Sequence, residues 1–476
     1  MNEDKNIPLC VDLDDTFMES DFLYENFIRL LKKHPLYILA LPFWLLKGIP
    51  HFKIKLYNKI KPDPQYLPYR EEIITLIKKE RLAGRKIILV TATNIEAAKS
   101  IANYWGIFDD VYGTEKVNLK GENKKERLVS IFGNKGYDYV GDSKSDVPVF
   151  NHARKVYLIN PSSKIINDIK NNTNIVEIFR KKSPLLRTII KEIRVYQWVK
   201  NILIFLPVIM AHKFDASTPW LYALIGFISF SLTASSVYVL NDLMDIESDR
   251  AHPRKKKRPL ASGELPISIA LFLIPMLIFA GIGLSTLLPG FEFFAILAVY
   301  FFLTSLYSFV LKKLYIADII VLASLYTIRL IAGAAAADVP LSHWLMAFSM
   351  FIFLSLALLK RYTELLTMRE AKKTNSRGRG YNVGDIDLIR SMGTSAGLLS
   401  VLVFALYVYS SDTMPLYNNP QILYGVSPFL LYWVLRIWFL SHRGKMTDDP
   451  IVFTVKDPVS YFIGFIVALL AIVSAL

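Results

Sequence analysis

Asp12 and Asp14 stand two residues apart, directly after the apolar run Ile7–Val11. A strand ending in carboxylates at i and i+2 points both to one side, which suits one nucleophile and one proton-transfer group. Three further polar motifs follow in order. They are Thr91-Ala92-Thr93 after the run Lys86–Val90, then Gly121-Glu122-Asn123-Lys124, then Tyr137 through Asp146 with its Gly141-Asp142 turn. Taken singly, such residues are caps or surface turns; the signal is their order. A second acidic set reads Asn241-Asp242-Leu-Met-Asp245-Ile-Glu-Ser-Asp249-Arg250, followed by the basic run Arg254–Arg258. On an ideal helix Asp242, Asp245 and Asp249 fall within ~60° of one another, so three carboxylates share a face. Unpaired, they repel; a divalent cation with a diphosphate removes the repulsion, and the basic residues add charge for phosphate oxygens. A loop that only sets membrane topology needs those basic residues but not the aligned carboxylates. Finally, Arg329 falls inside a long apolar stretch, where an ionisable group costs several kcal/mol unless it faces a polar cavity or a partner. Asp318 lies within ~20° of it around a helix, so one face carries both.

The elements that must hold these residues belong to two different solvents. Of 476 residues, the first 200 hold 34 Lys and Arg with 24 Asp and Glu, whereas the remaining 276 hold only 22 and 17. The first part reads as a water-soluble domain; the second has repeated runs long enough for ~20-residue membrane helices. A wholly soluble enzyme and a disordered chain are both excluded. Cys10 is the single cysteine, which excludes an intramolecular disulfide framework and a multi-cysteine metal site. The N-terminus has acidic residues before a buried-strand pattern, and no cleavable signal peptide is expected.

Nine apolar stretches are predicted, at 195–212, 218–240, 266–286, 291–311, 317–337, 343–362, 389–410, 421–441 and 458–475. Connectors 241–265, 312–316, 360–390 and 442–456 carry 19 Lys and Arg, and the opposite connectors carry one, Lys213. This bias puts the basic loops and the N-terminal domain on the cytoplasmic side of a bacterial-type inner membrane, with Leu476 outside. The charges sit at helix ends rather than on one soluble face, so nucleic acid is not an expected partner. Arg436 lies near the inner end of its helix and is expected to snorkel.

Strands alternating with helical segments in the first part read as a parallel α/β sheet whose strand ends converge on a site. The expected division is an α/β domain over 1–180 with a cap insertion at about 17–85, a linker and amphipathic lead-in at 181–194, and an all-α polytopic membrane domain over 195–476. Within the cap, Leu36–Lys47 is apolar but too short and Pro-broken to span. It is read as an interfacial helix resting on the bilayer, with a buried cap helix as the alternative.

The ordered N-terminal motifs resemble the haloacid dehalogenase (HAD) hydrolase superfamily over about 7–160. The resemblance implies a Rossmann-like fold, Asp12 as nucleophile on phosphorus and Asp14 as general acid/base. It also implies Thr91 and Lys124 holding phosphoryl oxygens, and Mg²⁺ held by Asp12, Asp14, Asp142 and Asp146. Asp14 favours phosphatase over dehalogenase chemistry, because a leaving alkoxide needs a proton.

The membrane part, from about 186 to the end, resembles the UbiA-type intramembrane prenyltransferase superfamily. Its Arg194–Asn201, Tyr307–Lys312, Asp318, Tyr326–Arg329, Lys360–Glu364 and Asp449–Asp457 segments look most like the decaprenyl-phosphate phosphoribosyltransferase branch. The resemblance implies Mg²⁺ on Asp242, Asp245 and Asp249 as the catalytic cluster, with Asn241 orienting it. It makes Lys200, Lys312, Asp318, Tyr326, Arg329, Lys360 and Arg361 candidates for substrate and phosphate contacts. Where aromatic prenyltransferases carry a second acidic pair at i and i+4, the position after Asp318 is Leu322, which argues against a second full magnesium cluster.

The function these resemblances imply is a bifunctional membrane enzyme with Mg²⁺ in both domains. It would move 5-phosphoribose from 5-phosphoribosyl diphosphate to a polyprenyl phosphate and then remove the 5-phosphate. The alternatives are prenyl transfer to an aromatic or other small acceptor beside an independent phosphatase, and a non-enzymatic membrane scaffold. Whether the chain forms a homo-oligomer is left open by the sequence.

Overall fold

The computed structural model describes residues 4–180, 183–371, 380–410, 416–446 and 449–476. Parts of two basic connectors, 372–379 and 447–448, lie outside the described residues. The chain divides into two compact units: Met1–Ile193 with Tyr238–Leu273, and Arg194–Val237 with Ile274–Leu476.

The first unit is built on six parallel strands, β1 (Leu9–Val11), β2 (Ile87–Asn94), β3 (Asp110–Thr114), β4 (Asp138–Gly141), β5 (Lys155–Ile159) and β6 (Asn174–Phe179), in the order β3-β2-β1-β4-β5-β6. β1 and β4 are buried throughout, as expected for parallel strands covered on both faces. Leu9 pairs with Ile87 on one side and Asp138 on the other. The strand order reverses at β1 and β4, which makes the crevice beyond their C-terminal ends the natural binding position. Helices Glu71–Leu82 and Ile95–Trp105 cover one face, placing Ile73, Ile77, Ala98 and Ile101 against Leu9, Val11, Ile87 and Leu89. The opposite core gathers Cys10, Tyr139, Phe150 and Val156.

Between β1 and β2, Phe22–Lys33 and Ile49–Lys59 pack Leu30, Phe52, Leu56 and Ile60 around Leu41 as a separate small core. The segment joining them, a 3₁₀ turn Pro35–Leu39 and a helix Leu41–Leu46, buries little else. Leu36 is 81% exposed, Leu39 72%, Phe43 68% and Leu46 84%. These four side chains are exposed, so the segment is not a buried cap helix.

Eight described helices are long and apolar enough to cross a membrane: Ser217–Met244, Ile267–Ser285, Glu292–Phe309, Ala317–Ala337, His343–Glu370, Val383–Val408, Pro420–His442 and Pro458–Ala475. The first expected stretch, 195–212, departs from the pattern. It is a 3₁₀ run Val195–Phe205 continued by a short helix, bent by 48° against Leu185–Glu192. The break falls at Arg194, whose φ of 55° turns the chain between the two segments, and Lys200 and Asn201 within the 3₁₀ run are buried and hydrogen-bonded to other side chains. Close helix packing in the second unit depends on Gly333, since a Cβ there would sit 2.2 Å from the Ile204 carbonyl oxygen.

Candidate active sites

β1 runs straight into a tight turn over Leu13–Phe17. Asp12 caps this turn by accepting from Leu13 N at 2.9 Å, while its own N–H donates to the Val140 carbonyl of β4 at 3.0 Å. Asp15 takes a positive φ of 54°, which turns the chain back. The carboxylate of Asp14 thereby reaches β2: its Oδ2 accepts from Thr91 at 3.2 Å and Thr93 at 2.9 Å, and its Oδ1 accepts from Phe22 N at 2.8 Å. Lys124 arrives on the helix Glu122–Phe132, whose entry needs Gly121 at φ +60° and ψ −122°, a conformation suited to glycine. Its ammonium lies 3.1 Å from Asp12 and 3.0 Å from Asp146, and donates to the Tyr139 hydroxyl at 2.9 Å.

Asp12, Asp142 and Asp146 offer ligand oxygens within 4.8 Å of one another, the one such set among the described residues. Burial pushes the Asp12 carboxyl up to about 8; Lys124 pulls it down, and Asp146 and Asp14 push it up. Asp142 is likewise held well above the ordinary carboxylate range, by burial first and then by Asp12 and Asp146. Such mutual repulsion is what an oxygen-liganded divalent cation relieves, so these residues fit Mg²⁺. The Asp14 carboxylate instead faces the two threonine hydroxyls, a position suited to proton transfer. Thr93 and Lys53, which donates to the Ala92 carbonyl at 2.7 Å, complete this wall and were not anticipated. Thr93 stood within the noted Thr-Ala-Thr motif, whereas nothing in sequence marks Lys53. Asp138 is structural, clamped by Arg85 and Arg154 at the far end of β4.

The second acidic set lies at the end of the helix Ser217–Met244. Asp245 breaks the regular helix, with φ −97° and ψ 8°, before Ile246–Arg250 resumes it. The i to i+4 bonds nonetheless run through the break, Asp245 N to Asn241 O and Asp249 N to Asp245 O, each at 2.9 Å. Asp242 and Asp249 are buried and converge: one nitrogen of Arg258, Nη1, lies 2.9 Å from Asp242 Oδ1 and 2.6 Å from Asp249 Oδ2. A guanidinium therefore stands between Asp242 and Asp249 and neutralises them, and the three carboxylates of this segment do not gather into a ligand set as Asp12, Asp142 and Asp146 do. Asp245 and Asn241 are half-buried on the same segment. Glu247 and Arg250 tie this segment to the helix Phe22–Lys33, through Arg29 at 2.6 Å and through Glu25 at 2.7 and 2.9 Å.

In the second unit, Asp318 is fully buried and accepts from Arg361 Nε at 2.5 Å and Tyr307 OH at 2.8 Å; Arg361 also reaches Glu364 at 2.6 Å. Arg329 donates to Asn201 at 2.8 Å and to the Leu325 carbonyl, and its guanidinium stacks near Phe230, Tyr300 and Tyr326 at 5.3 to 5.6 Å. Asp318 and Arg329 thus share a helix but serve separate networks. Lys200 and Lys360 both face Asp449, at 2.5 and 3.6 Å, an acid that sequence reasoning quoted but did not assign. Lys312 lies half-buried in the turn Leu311–Lys313. Arg436, expected to snorkel, instead forms a two-bond ion pair with Asp457 at 2.6 and 2.9 Å.

An uncharacterized protein of Sinorhizobium fredii is 35% identical over 98% of this chain and 90% of its own length. A decaprenyl-phosphate phosphoribosyltransferase of Mycolicibacterium smegmatis is 34% identical over 58% of this chain and 88% of its own. Among solved structures, a UbiA homologue from Archaeoglobus fulgidus bound to DMAPP and Mg²⁺ is similar over 60% of this chain and 97% of that one, at 15% identity and TM-score 0.45. A HAD-family hydrolase from Salmonella enterica is similar over 36% of this chain and 67% of that one, at 14% identity and TM-score 0.28. The sequence pattern of the UbiA prenyltransferase family matches residues 202–472. With that match over more than half its length, the chain belongs to the UbiA prenyltransferase family.

Proposed function

We propose that the protein is a bifunctional enzyme that transfers 5-phosphoribose from 5-phosphoribosyl diphosphate to a polyprenyl phosphate and then removes the 5-phosphate. The observation that carries this reading is that a phosphatase-type carboxylate set and the acidic segment of a UbiA family member occur in one compact unit, tied by Glu25–Arg250 and Arg29–Glu247. The phosphoribosyltransferase name of the M. smegmatis relative supports the choice of donor.

In the first reaction a lipid phosphate oxygen attacks the anomeric carbon, forming the C–O bond as the bond to diphosphate breaks. Asp242, Asp245 and Asp249 would hold Mg²⁺, which when bound neutralises the departing diphosphate. Lys200 and Lys360, kept in place by Asp449, are the cations best suited to meet phosphate oxygens. Arg329 and Arg361 already use most of their donors on protein groups and position their neighbours. In the second reaction Asp12 attacks phosphorus, the P–O ester bond breaks, and Asp14 gives its proton to the leaving alkoxide. Water then attacks the aspartyl phosphate as Asp14 takes the proton back, releasing phosphate. Lys124 holds phosphoryl oxygens, and Asp12, Asp142 and Asp146 would hold the second Mg²⁺.

The exposed Leu36, Leu39, Phe43 and Leu46 support a cap that rests on the bilayer, which would keep the phosphatase near lipid-linked phosphates. The basic connectors and both sites are assigned to the cytoplasmic face of an inner membrane. Counting the bent pair as a ninth crossing, Leu476 lies outside.

The test is to incubate purified protein with polyprenyl phosphate and labelled 5-phosphoribosyl diphosphate, beside labelled prenyl diphosphate with an aromatic acceptor. Dephosphorylated lipid-linked ribose is expected, with the phosphorylated lipid accumulating in Asp12→Asn and no product in Asp242→Ala. Phosphorylated lipid alone, unchanged by Asp12→Asn, removes the second step; turnover of the prenyl donor only removes the first.

A further inference from the structure

The two oxygens of Asp14 are held by different elements. Oδ2 accepts from the Thr91 and Thr93 hydroxyls of β2, whereas Oδ1 accepts at 2.8 Å from the N–H of Phe22, the first residue of the helix Phe22–Lys33. A hydroxyl can turn to donate or accept, but a backbone N–H can only donate. Phe22 therefore fixes Oδ1 as the accepting oxygen and sets the direction in which Oδ2 faces. Whatever holds Phe22 in place holds the proton-transfer group.

One buried carboxylate grips the chain on both sides of Phe22. Glu25 Oε1 accepts from Ser20 Oγ at 2.6 Å and from Arg250 Nη2 at 2.7 Å, and its Oε2 accepts from Arg250 Nη1 at 2.9 Å. Ser20 stands two residues before Phe22 and Glu25 three after it. Arg250 comes from elsewhere, 225 residues further along the chain, on the short helix Ile246–Arg250 that also carries Asp249. All three of its side-chain nitrogens are engaged, since Nε donates to the Ala261 carbonyl at 2.9 Å and Nη1 also reaches the Tyr66 carbonyl at 3.1 Å. A second close approach lies beside it: a Cβ on Gly263, at φ +80°, would come within 2.5 Å of the Glu19 Cβ and 3.0 Å of its carbonyl oxygen. A buried ion pair gives little net stability over apolar residues of the same size; what two parallel bonds supply is direction.

We infer that Arg250 is a positioning residue of the phosphatase step. Through Glu25 and the start of the helix Phe22–Lys33 it holds the Asp14 carboxylate in the orientation that meets the leaving oxygen. The inference rests on the phosphatase reading above and goes beyond it. The phosphatase crevice is completed by a residue next to Asp249, so the two sets of carboxylates share a structural part and not only a chain.

The experiment uses the full-length protein in nanodiscs with Mg²⁺ and two soluble esters. One is an alkyl phosphate, whose leaving oxygen needs a proton; the other is p-nitrophenyl phosphate, whose leaving oxygen does not. Arg250→Ala should lower kcat for the alkyl ester about tenfold, part of what a general acid contributes, and kcat for p-nitrophenyl phosphate less than about twofold. Arg250→Lys keeps the charge without the two parallel bonds and should fall between, at about threefold on the alkyl ester. Ser20→Ala releases the same grip from the other side, should also cost the alkyl ester about threefold, and decides the matter if Arg250→Ala does not fold. Equal losses on the two esters, or a ratio of the two rates that none of the variants moves, overturn the inference and leave the phosphatase reading standing. If the unsubstituted protein hydrolyses neither ester, that reading falls and this inference with it.

Discussion

Asp12 and Asp14 are two residues apart in sequence and serve opposite walls of one crevice, because the turn after β1 sends Asp14 towards Thr91 and Thr93 while Asp12 stays with Lys124 and Asp142. If Asp14 is the proton donor, Asp14→Asn should slow hydrolysis of an alkyl phosphate about 10²- to 10⁴-fold. The same variant should affect p-nitrophenyl phosphate far less, since that leaving group needs no proton; equal losses on both substrates would contradict the role. A second residue-scale prediction concerns Glu25. Burial alone would raise its carboxyl, but Arg250 and then Arg29 outweigh burial and hold it below the usual range. A depressed folded-state value means the pair stabilises the protein above the unfolded carboxylate value and loses that contribution as pH falls through the folded one. Glu25→Ala should therefore cost about 3–5 kcal/mol near neutrality, as removal of one partner of a buried pair does. Its effect should shrink in acid, which urea unfolding of the full chain at several pH values can measure.

At the scale of elements, the end of Ser217–Met244 carries its carboxylates on a helix that kinks at Asp245 but keeps its hydrogen-bond ladder. Arg258 stands between Asp242 and Asp249. Removing it should lower the melting temperature without Mg²⁺ and enlarge the stabilisation that Mg²⁺ brings, because the competing cation is gone. Thermal shift of Arg258→Ala with and without Mg²⁺ reads this directly, and an unchanged Mg²⁺ response would count against cation binding there. Gly333 gives a second test. Its missing Cβ leaves room for the Ile204 carbonyl, so Gly333→Ala should destabilise the protein by about 1–3 kcal/mol.

For the whole molecule, the cap's exposed apolar residues bear on access to substrate rather than on chemistry. Replacing Leu39, Phe43 and Leu46 together with Ser should lower kcat/KM for a phosphorylated lipid in vesicles. It should leave hydrolysis of a soluble phosphate ester unchanged, since all three side chains are largely exposed and lie outside the small core of the cap. Equal effects on both substrates would mean that the patch supports folding rather than lipid contact.

Much of this was legible in the chain itself. Alternating strand and helix signals, apolar stretches of membrane length and the ordered acidic motifs depend on local periodicity and residue chemistry, which survive without coordinates. Local patterns also placed Asp242 and Asp249 on one face, because a helix converts spacing into direction. Tertiary structure decided what spacing cannot: which charges meet. Arg436 found Asp457, Arg361 found Asp318, and Lys200 and Lys360 found a common Asp449. Pairings between residues far apart in sequence depend on how helices pack, and Arg361, an expected substrate contact, is a structural strut because the Asp318 carboxylate lies 2.5 Å away.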